Sequence, residues 1–217
     1  MPGLSKSRLM SFLQCPKRLW LEMHRPDLGE IDASQQARFD EGHAVGNIAR
    51  RLYDPAGAGA LISGARGMSA ALRDTARAIG QVTTPLFEAT FERDGLLVRT
   101  DVIDRAAARL IEVKSSASVK DEHVTDCAIQ AWVLETSSLP PKAVALARID
   151  NQFNYAGDGD YRGLLVEENL TARLRPQFAQ VPQWLAAAKH AADGAEPQVT
   201  IGSRCRIPHD CPGCGLG

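Results

Sequence analysis

An α/β fold is predicted for this chain by three observations. Apolar residues recur near helical spacing through much of the stretch before residue 80. The pattern then turns to alternation between residues 86 and 113, the period of a half-buried sheet. A helix, a buried strand and further helix follow. That order favours a mixed central sheet flanked by helices.

Each element has a local reason. Ser5 is suited to cap a short helix carrying Leu9, Phe12 and Leu13. Pro16 fits as the first residue of a second helix through Leu19, Trp20 and Met23, with Cys15 at the junction and Pro26 and Gly29 ending it. Residues 34–53 carry Phe39, Val45, Ile48, Ala49 and Leu52 near helical period, residues 54–67 read as a Gly- and Ala-rich loop, and 69–79 as a short helix. Leu86–Glu92 alternates, Asp94-Gly95 signals a hairpin, and Leu96–Ile103 is expected as its second strand. After a turn around Arg105–Ala108, Leu110–Val113 forms a third strand. Glu122–Thr136 has the apolar stripe of a helix, ended before Pro140-Pro141, and Ala143–Ile149 reads as a buried strand. Residues 151–163 are a polar connection, and 168–193 are expected to be mainly helical, divided by Pro176 and Pro182.

The 217 residues fit a single domain, and an apolar fraction of 44% is enough for a sizeable core. A net charge of −1 gives no global attraction to nucleic acid, so any such grip must come from local patches. No apolar run reaches the length of a membrane span, and the first residues lack the apolar core of a signal peptide. A cytoplasmic protein with no membrane partner is the expectation. Five cysteines suit a disulfide framework poorly: Cys15 and Cys127 are isolated, while Cys205, Cys211 and Cys214 crowd the last thirteen residues.

Chemistry concentrates in the third strand. Glu112 and Lys114 are two residues apart and share one face, whereas Val113 points to the other. A turn can bring Asp101 beside Glu112. Two carboxylates with the Val113 carbonyl make a hard oxygen site suited to Mg²⁺ or Mn²⁺. The adjacent lysine can orient a water or offset charge on a phosphoryl transition state. The plainer alternative is an exposed charged hairpin. Leu110, Ile111 and Val113 argue against it, because unpaired charges beside a core strand are costly.

The string VRTDVIDRAAARLIEVKSS resembles the catalytic hairpin of the PD-(D/E)XK nucleases, particularly their RecB-like branch. The resemblance implies a restriction-endonuclease-like core and a nuclease in which Asp101, Glu112, Lys114 and Gln130 are catalytic. His43, in DEGHAVGNIAR, looks like the branch's histidine motif and implies a metal ligand with Asp101, Glu112 and Val113. Gln130, in DCAIQAWVL, looks like the glutamine of the next motif; four residues on, where a tyrosine is frequent, this chain has Leu134. Glu88, in LFEATFE, resembles an upstream acidic residue that supports the metal site in some relatives.

Iron–sulfur members of the branch, such as the AddB-type helicase–nuclease subunits and the CRISPR-associated exonucleases, pair one cysteine before the core with three after it. Cys15 with Cys205, Cys211 and Cys214 has that layout. The resemblance therefore implies a 4Fe-4S cluster joining residues 1–30 to 195–217. Read by chemistry alone, Cys205, His209, Cys211 and Cys214 could hold a structural Zn²⁺ instead, with Cys127 as a small buried apolar residue. Lys6, Arg8, Lys17, Arg18, Arg204 and Arg206 would form one basic patch if the ends meet, and Lys120 could add a phosphate contact. The expected partner is DNA, especially single-stranded ends cut by an exonuclease, with a helicase, repair or CRISPR partner left open. The competing expectation is a non-cleaving nucleic-acid-binding module, which has no need of an intact acid–acid–lysine set. The chain is expected either as a small nuclease in itself or as the nuclease portion of something longer.

Overall fold

The computed structural model describes residues 3–28, 33–81, 84–202 and 205. Its elements open with a short strand β1 (Leu4–Ser5), helices α1 (Lys6–Gln14) and α2 (Pro16–His24), and the long α3 (Ala33–Tyr53). Strand β2 (Ala60–Leu61) and helix α4 (Met68–Gln81) lead to β3 (Leu86–Phe87), β4 (Thr90–Arg93), β5 (Leu96–Arg99), β6 (Val102–Asp104) and β7 (Arg109–Lys114). Helix α5 (Asp121–Glu135), strands β8 (Ala143–Ile149) and β9 (Leu165–Asn169), and helix α6 (Arg175–Asp193) follow.

The fold is α/β, as expected, with a mixed sheet between helices. Six strands run in the order β2-β3-β6-β7-β8-β9, with β2–β3 and β7–β8 parallel and the other pairs antiparallel. A smaller sheet has the order β1-β5-β4. The Asp-Gly signal is realised at the β4–β5 turn, where Asp94 (φ 52°) and Gly95 (φ 79°) both take the left-handed conformation that such a turn needs.

Two expected strands are each cut in two. Residues 86–92 divide into β3 and β4, and 96–103 into β5 and β6. At the cut, Glu88 has a φ of 57°, and the two chains stay tied by Glu88 N–H to the Asp101 carbonyl (3.2 Å) and Thr100 N–H to the Ala89 carbonyl (2.9 Å). The bend lets one antiparallel pair serve two sheets. Asp101 therefore lies at a corner, outside regular strand.

Helix α5 is buried nearly all round from His123 to Leu134, which is why its apolar residues spread beyond a single stripe. It packs against β4, β5, β8, α1 and α6. Leu110, Val144 and Leu146 join the core on this side of the large sheet, while Phe87, Val102, Ile111, Ala145 and Ala147 form a second core near Tyr53 of α3.

The C-terminal third departs from expectation at its start. Leu165–Asn169 pairs with β8 as a strand, and helix begins only at Arg175. Pro176 occupies the first turn, where its missing N–H costs nothing. Pro182 lies inside α6 without ending it. An internal proline costs about 3 kcal/mol. Full burial of Val181 and Leu185 in the core contributes about 1.5–3 kcal/mol each and offsets it.

Segments from the two ends of the chain lie side by side. Trp20 Nε1 donates to the Gly194 carbonyl (3.0 Å), His24 Nε2 donates to the Ala192 carbonyl (2.8 Å), and Lys17 pairs with Glu196 (3.0 Å). Cys15, at the α1–α2 junction, and Cys205 are both buried. Cys211 and Cys214, with Arg204, Arg206 and His209, lie outside the described residues, so half of the expected cluster ligands do too. Among the described residues, no helix is long and apolar enough to cross a membrane.

Candidate active site

Strand alternation places Leu110, Glu112 and Lys114 on the face of β7 covered by α5, and Ile111 and Val113 on the reverse. Glu112 is only 2% exposed, so its carboxylate must be matched locally. Lys114 Nζ lies 2.6 Å from its Oε1, and Gln130 Nε2 donates to its Oε2 at 2.6 Å. The β6–β7 register, Val102 opposite Ile111, continues backwards to set Asp101 beside Glu112. Asp101 Oδ2 accepts the Val113 N–H at 2.7 Å, which fixes the carboxyl at the corner. The expected juxtaposition of Asp101, Glu112, Lys114 and Gln130 is present in the structure.

Two further residues complete the cluster and were not expected in it. Asp126 stands one helical turn before Gln130 on α5, and both point at β7. Its carboxylate lies 2.6 Å from Lys6 Nζ, 2.8 Å from Lys114 Nζ and 3.0 Å from Gln130 Nε2. Lys6, the first residue of α1, also reaches Glu112 Oε1 at 3.3 Å. Its position is set from both sides: β1 pairs parallel with β5, and Ser5 Oγ accepts the Arg8 N–H (3.3 Å) to cap α1. For Asp126 a signal existed in the sequence, an acid at i−4 from Gln130, the two standing alone in the otherwise apolar stretch from Asp126 to Leu134. Lys6 carried none beyond membership of a basic patch, because only the tertiary fold brings it near.

Charge bookkeeping explains the proton affinities. Three carboxylates (Asp101, Glu112, Asp126) face two ammonium groups (Lys6, Lys114). Burial, and then the neighbouring Glu112 carboxylate, push Asp101 up to about 8. Burial also pushes Asp126 up, but Lys114 and Lys6 outweigh it and hold this carboxyl well below the usual range. Burial works against the charge on Lys6 and Lys114, and the carboxylates around them overcome it, so both stay protonated far into the alkaline range. With Asp101 holding its proton, the two other carboxylates balance the two ammonium groups, so Asp101 is the acid in excess.

That imbalance bears on a divalent ion. Asp101, Glu112 and the Val113 carbonyl are hard oxygen donors, and one or two carboxylates completed by water and substrate phosphate suit Mg²⁺ or Mn²⁺. Gln130 Oε1 is buried without a hydrogen-bond partner among the described residues, which leaves an acceptor for an ordered water. The donors fit such an ion, provided that Glu112 Oε1 exchanges a lysine contact for it. Among the described residues, no three His, Cys, Asp or Glu side chains are gathered as a ready metal cage; Lys6 and Lys114 stand between Glu112 and Asp126.

The other expected residues lie apart. His43 is exposed on α3, among residues 36–44 that are all exposed, with no described contact to the carboxylates. Glu88 touches the site only through its backbone, its side chain being turned onto Arg99 Nε (2.8 Å). Lys120 caps α5 and faces Glu122 at 3.8 Å. Cys127 is fully buried and burial raises its thiol, as suits an apolar role. Leu134, at the position where a tyrosine is frequent in the RecB-like pattern, packs in the core.

No protein-family model matches the chain, and no curated protein matches it. Among solved structures, the crystal structure of SSO0001 is similar to it at 13% identity, with a TM-score of 0.48 over 100% of this chain and 86% of that one.

Proposed function

We propose that this chain is a metal-dependent nuclease that hydrolyses DNA phosphodiesters. The observation that carries the reading is the set of Asp101, Glu112 and Lys114, Glu112 buried and the other two half-buried, locked by Gln130 and Asp126 under α5. Burying so many charges is expensive, and well-packed apolar residues would stabilise the same volume as well or better. A charged cluster kept at a sheet corner is therefore better accounted for by chemistry than by folding.

Asp101, Glu112 and the Val113 carbonyl would hold a Mn²⁺ or Mg²⁺ ion. Such an ion supplies Lewis acidity, lowering the pKa of a water and offsetting phosphate charge. Lys114 presents an ammonium group whose charge is locked on by Glu112 and Asp126, suited to stabilising negative charge that develops on the phosphoryl oxygens. Asp126 fixes both lysines, and Gln130 donates both its N–H groups to carboxylates while its Oε1 offers an acceptor to a water. His43 as a nitrogen ligand requires α3 to shift toward the carboxylates when substrate binds. The four-cysteine cluster belongs to the same reading, supported by the burial of Cys15 and Cys205 and the seating of α2 on α6.

The test is degradation of end-labelled single-stranded DNA with Mn²⁺. Wild-type protein is expected to cut linear DNA and spare circular DNA, as an exonuclease does. Asp101→Ala is expected to abolish cutting with an unchanged circular dichroism spectrum. Cutting that survives this substitution rejects the site. Binding without cutting by the wild type would favour the non-cleaving module.

A further inference from the structure

We infer that the loop after β8 carries a stacking platform for an unpaired base of single-stranded nucleic acid, with Tyr155 as its contact surface; the inference rests on the nuclease reading. Strands β7 and β8 are parallel and in register, Lys114 opposite Arg148. The chain leaving β8 therefore emerges at the same end of the sheet as Lys114. Two contacts confirm the juxtaposition: Ile149 N–H donates to the Ser116 carbonyl (3.1 Å), and Arg148 Nη1 donates to the Ala117 carbonyl (3.0 Å).

The loop is built, not merely long. Its ends are joined by Asp150 N–H to the Leu164 carbonyl at 2.8 Å. Gly157, Asp158 and Gly159 take positive φ in succession (108°, 56° and 73°), turning the chain back so that Tyr155 and Tyr161 stack with centroids 5.0 Å apart and planes 16° apart. Gly159 N–H donates to Tyr155 Oη at 2.8 Å and fixes the ring's direction. Arg51, on the last turn of α3, lies over Tyr161 at 5.9 Å. Tyr161 is half-buried in this arrangement, whereas Tyr155 is 48% exposed.

A pinned aromatic ring with an open surface is what sequence-tolerant binders offer to bases. The loop's own charges give no phosphate site, so its contact would be to a base. Asp158 is exposed, and Asp160 is bridged to Arg162 at 2.6 Å, so the loop offers no continuous basic track for a backbone. Its contribution should come from stacking and be nearly independent of salt, unlike a phosphate contact.

The experiment is fluorescence anisotropy with labelled oligo-dT and with an abasic strand of the same length, in EDTA so that nothing is cut. Tyr155→Ala is expected to weaken oligo-dT binding about tenfold, and Tyr155→Phe, which keeps the ring, by no more than about twofold. All three proteins should bind the abasic strand alike. Melting temperature and circular dichroism are read on each variant, and Tyr155→Leu repeats the comparison with the loop's bulk retained. Equal oligo-dT affinity for wild type, Tyr155→Ala and Tyr155→Leu overturns the platform, as does an equal loss on the abasic strand. If the wild type cuts DNA while those affinities are equal, only the platform falls; if it neither binds nor cuts any strand, the nuclease reading falls with it.

Discussion

The two faces of strand β7 make a controlled comparison, since they share one backbone and differ by single-residue steps. On the reverse face, Ile111 and Val113 meet Phe87, Val102, Ala145 and Ala147, and no specific partner is needed because apolar burial is non-directional. On the α5 face, Glu112 and Lys114 pair with each other and with Asp126 and Gln130 from α5 and Lys6 from α1. One face tolerates any filling of similar volume. The other is a charge balance in which each member depends on the rest.

Breaking the balanced face should cost most. Asp126→Ala leaves two half-buried lysines short of a carboxylate and is expected to lower stability by about 1.5–3 kcal/mol in denaturant unfolding; Asp126→Asn, which can still accept hydrogen bonds, should lose less. Lys114→Ala is expected to reduce Mn²⁺-dependent turnover on the order of 10²–10³-fold. Ile111→Val, on the opposite face, is expected to cost only about 0.5–1.5 kcal/mol of stability and to leave turnover per folded molecule unchanged. A turnover loss in Ile111→Val matching that of Lys114→Ala would erase the distinction between the faces.

A smaller effect comes from pH. Folded Asp101 keeps its proton up to about 8. In the unfolded chain the same carboxyl ionises near ~4. Between these values the folded state binds more protons, so this group makes stability fall as pH rises through the window. The depressed Asp126 acts in the opposite sense and only in acid, its contribution being lost as pH falls through its low folded value. Metal-free protein should thus melt lower at pH 8 than at pH 5, with Asp101→Asn removing most of the difference. Because an ion must displace the Asp101 proton, Mn²⁺ affinity should rise with pH over the same range, which calorimetry can follow.

Much of this was legible from residue pattern. Glu112 and Lys114 share a face by simple alternation, and the Asp-Gly turn fixed the hairpin. Gln130 was readable only through a resemblance, and its complete burial then gave it a physical role. The sheet corner was not legible: Glu88 and Asp101 interrupt alternating runs that look continuous, and only the competition between two sheets for one strand pair breaks them there. Asp126 has the spacing to share a helical face with Gln130, but the apolar residues around it give α5 the pattern of a plain core helix. Lys6 depends on closure over about half of the chain, which no local pattern encodes. Strand β9 was obscured because Glu167 and Glu168 give it the polarity of a connection.

The reach of Lys6 has a consequence for how the molecule comes into being. Lys6 and Glu112 are separated by 106 positions, and the strand that anchors Lys6 pairs with β5, made some ninety residues later. Contacts of such long sequence separation form slowly, after the entropy of closing the intervening chain has been overcome. During synthesis on the ribosome, Lys6 is made long before the acidic corner, and the two meet only once the intervening chain has closed. Maturation of the site thus depends on long-range closure, as does the still longer-range seating of α2 beside the end of α6.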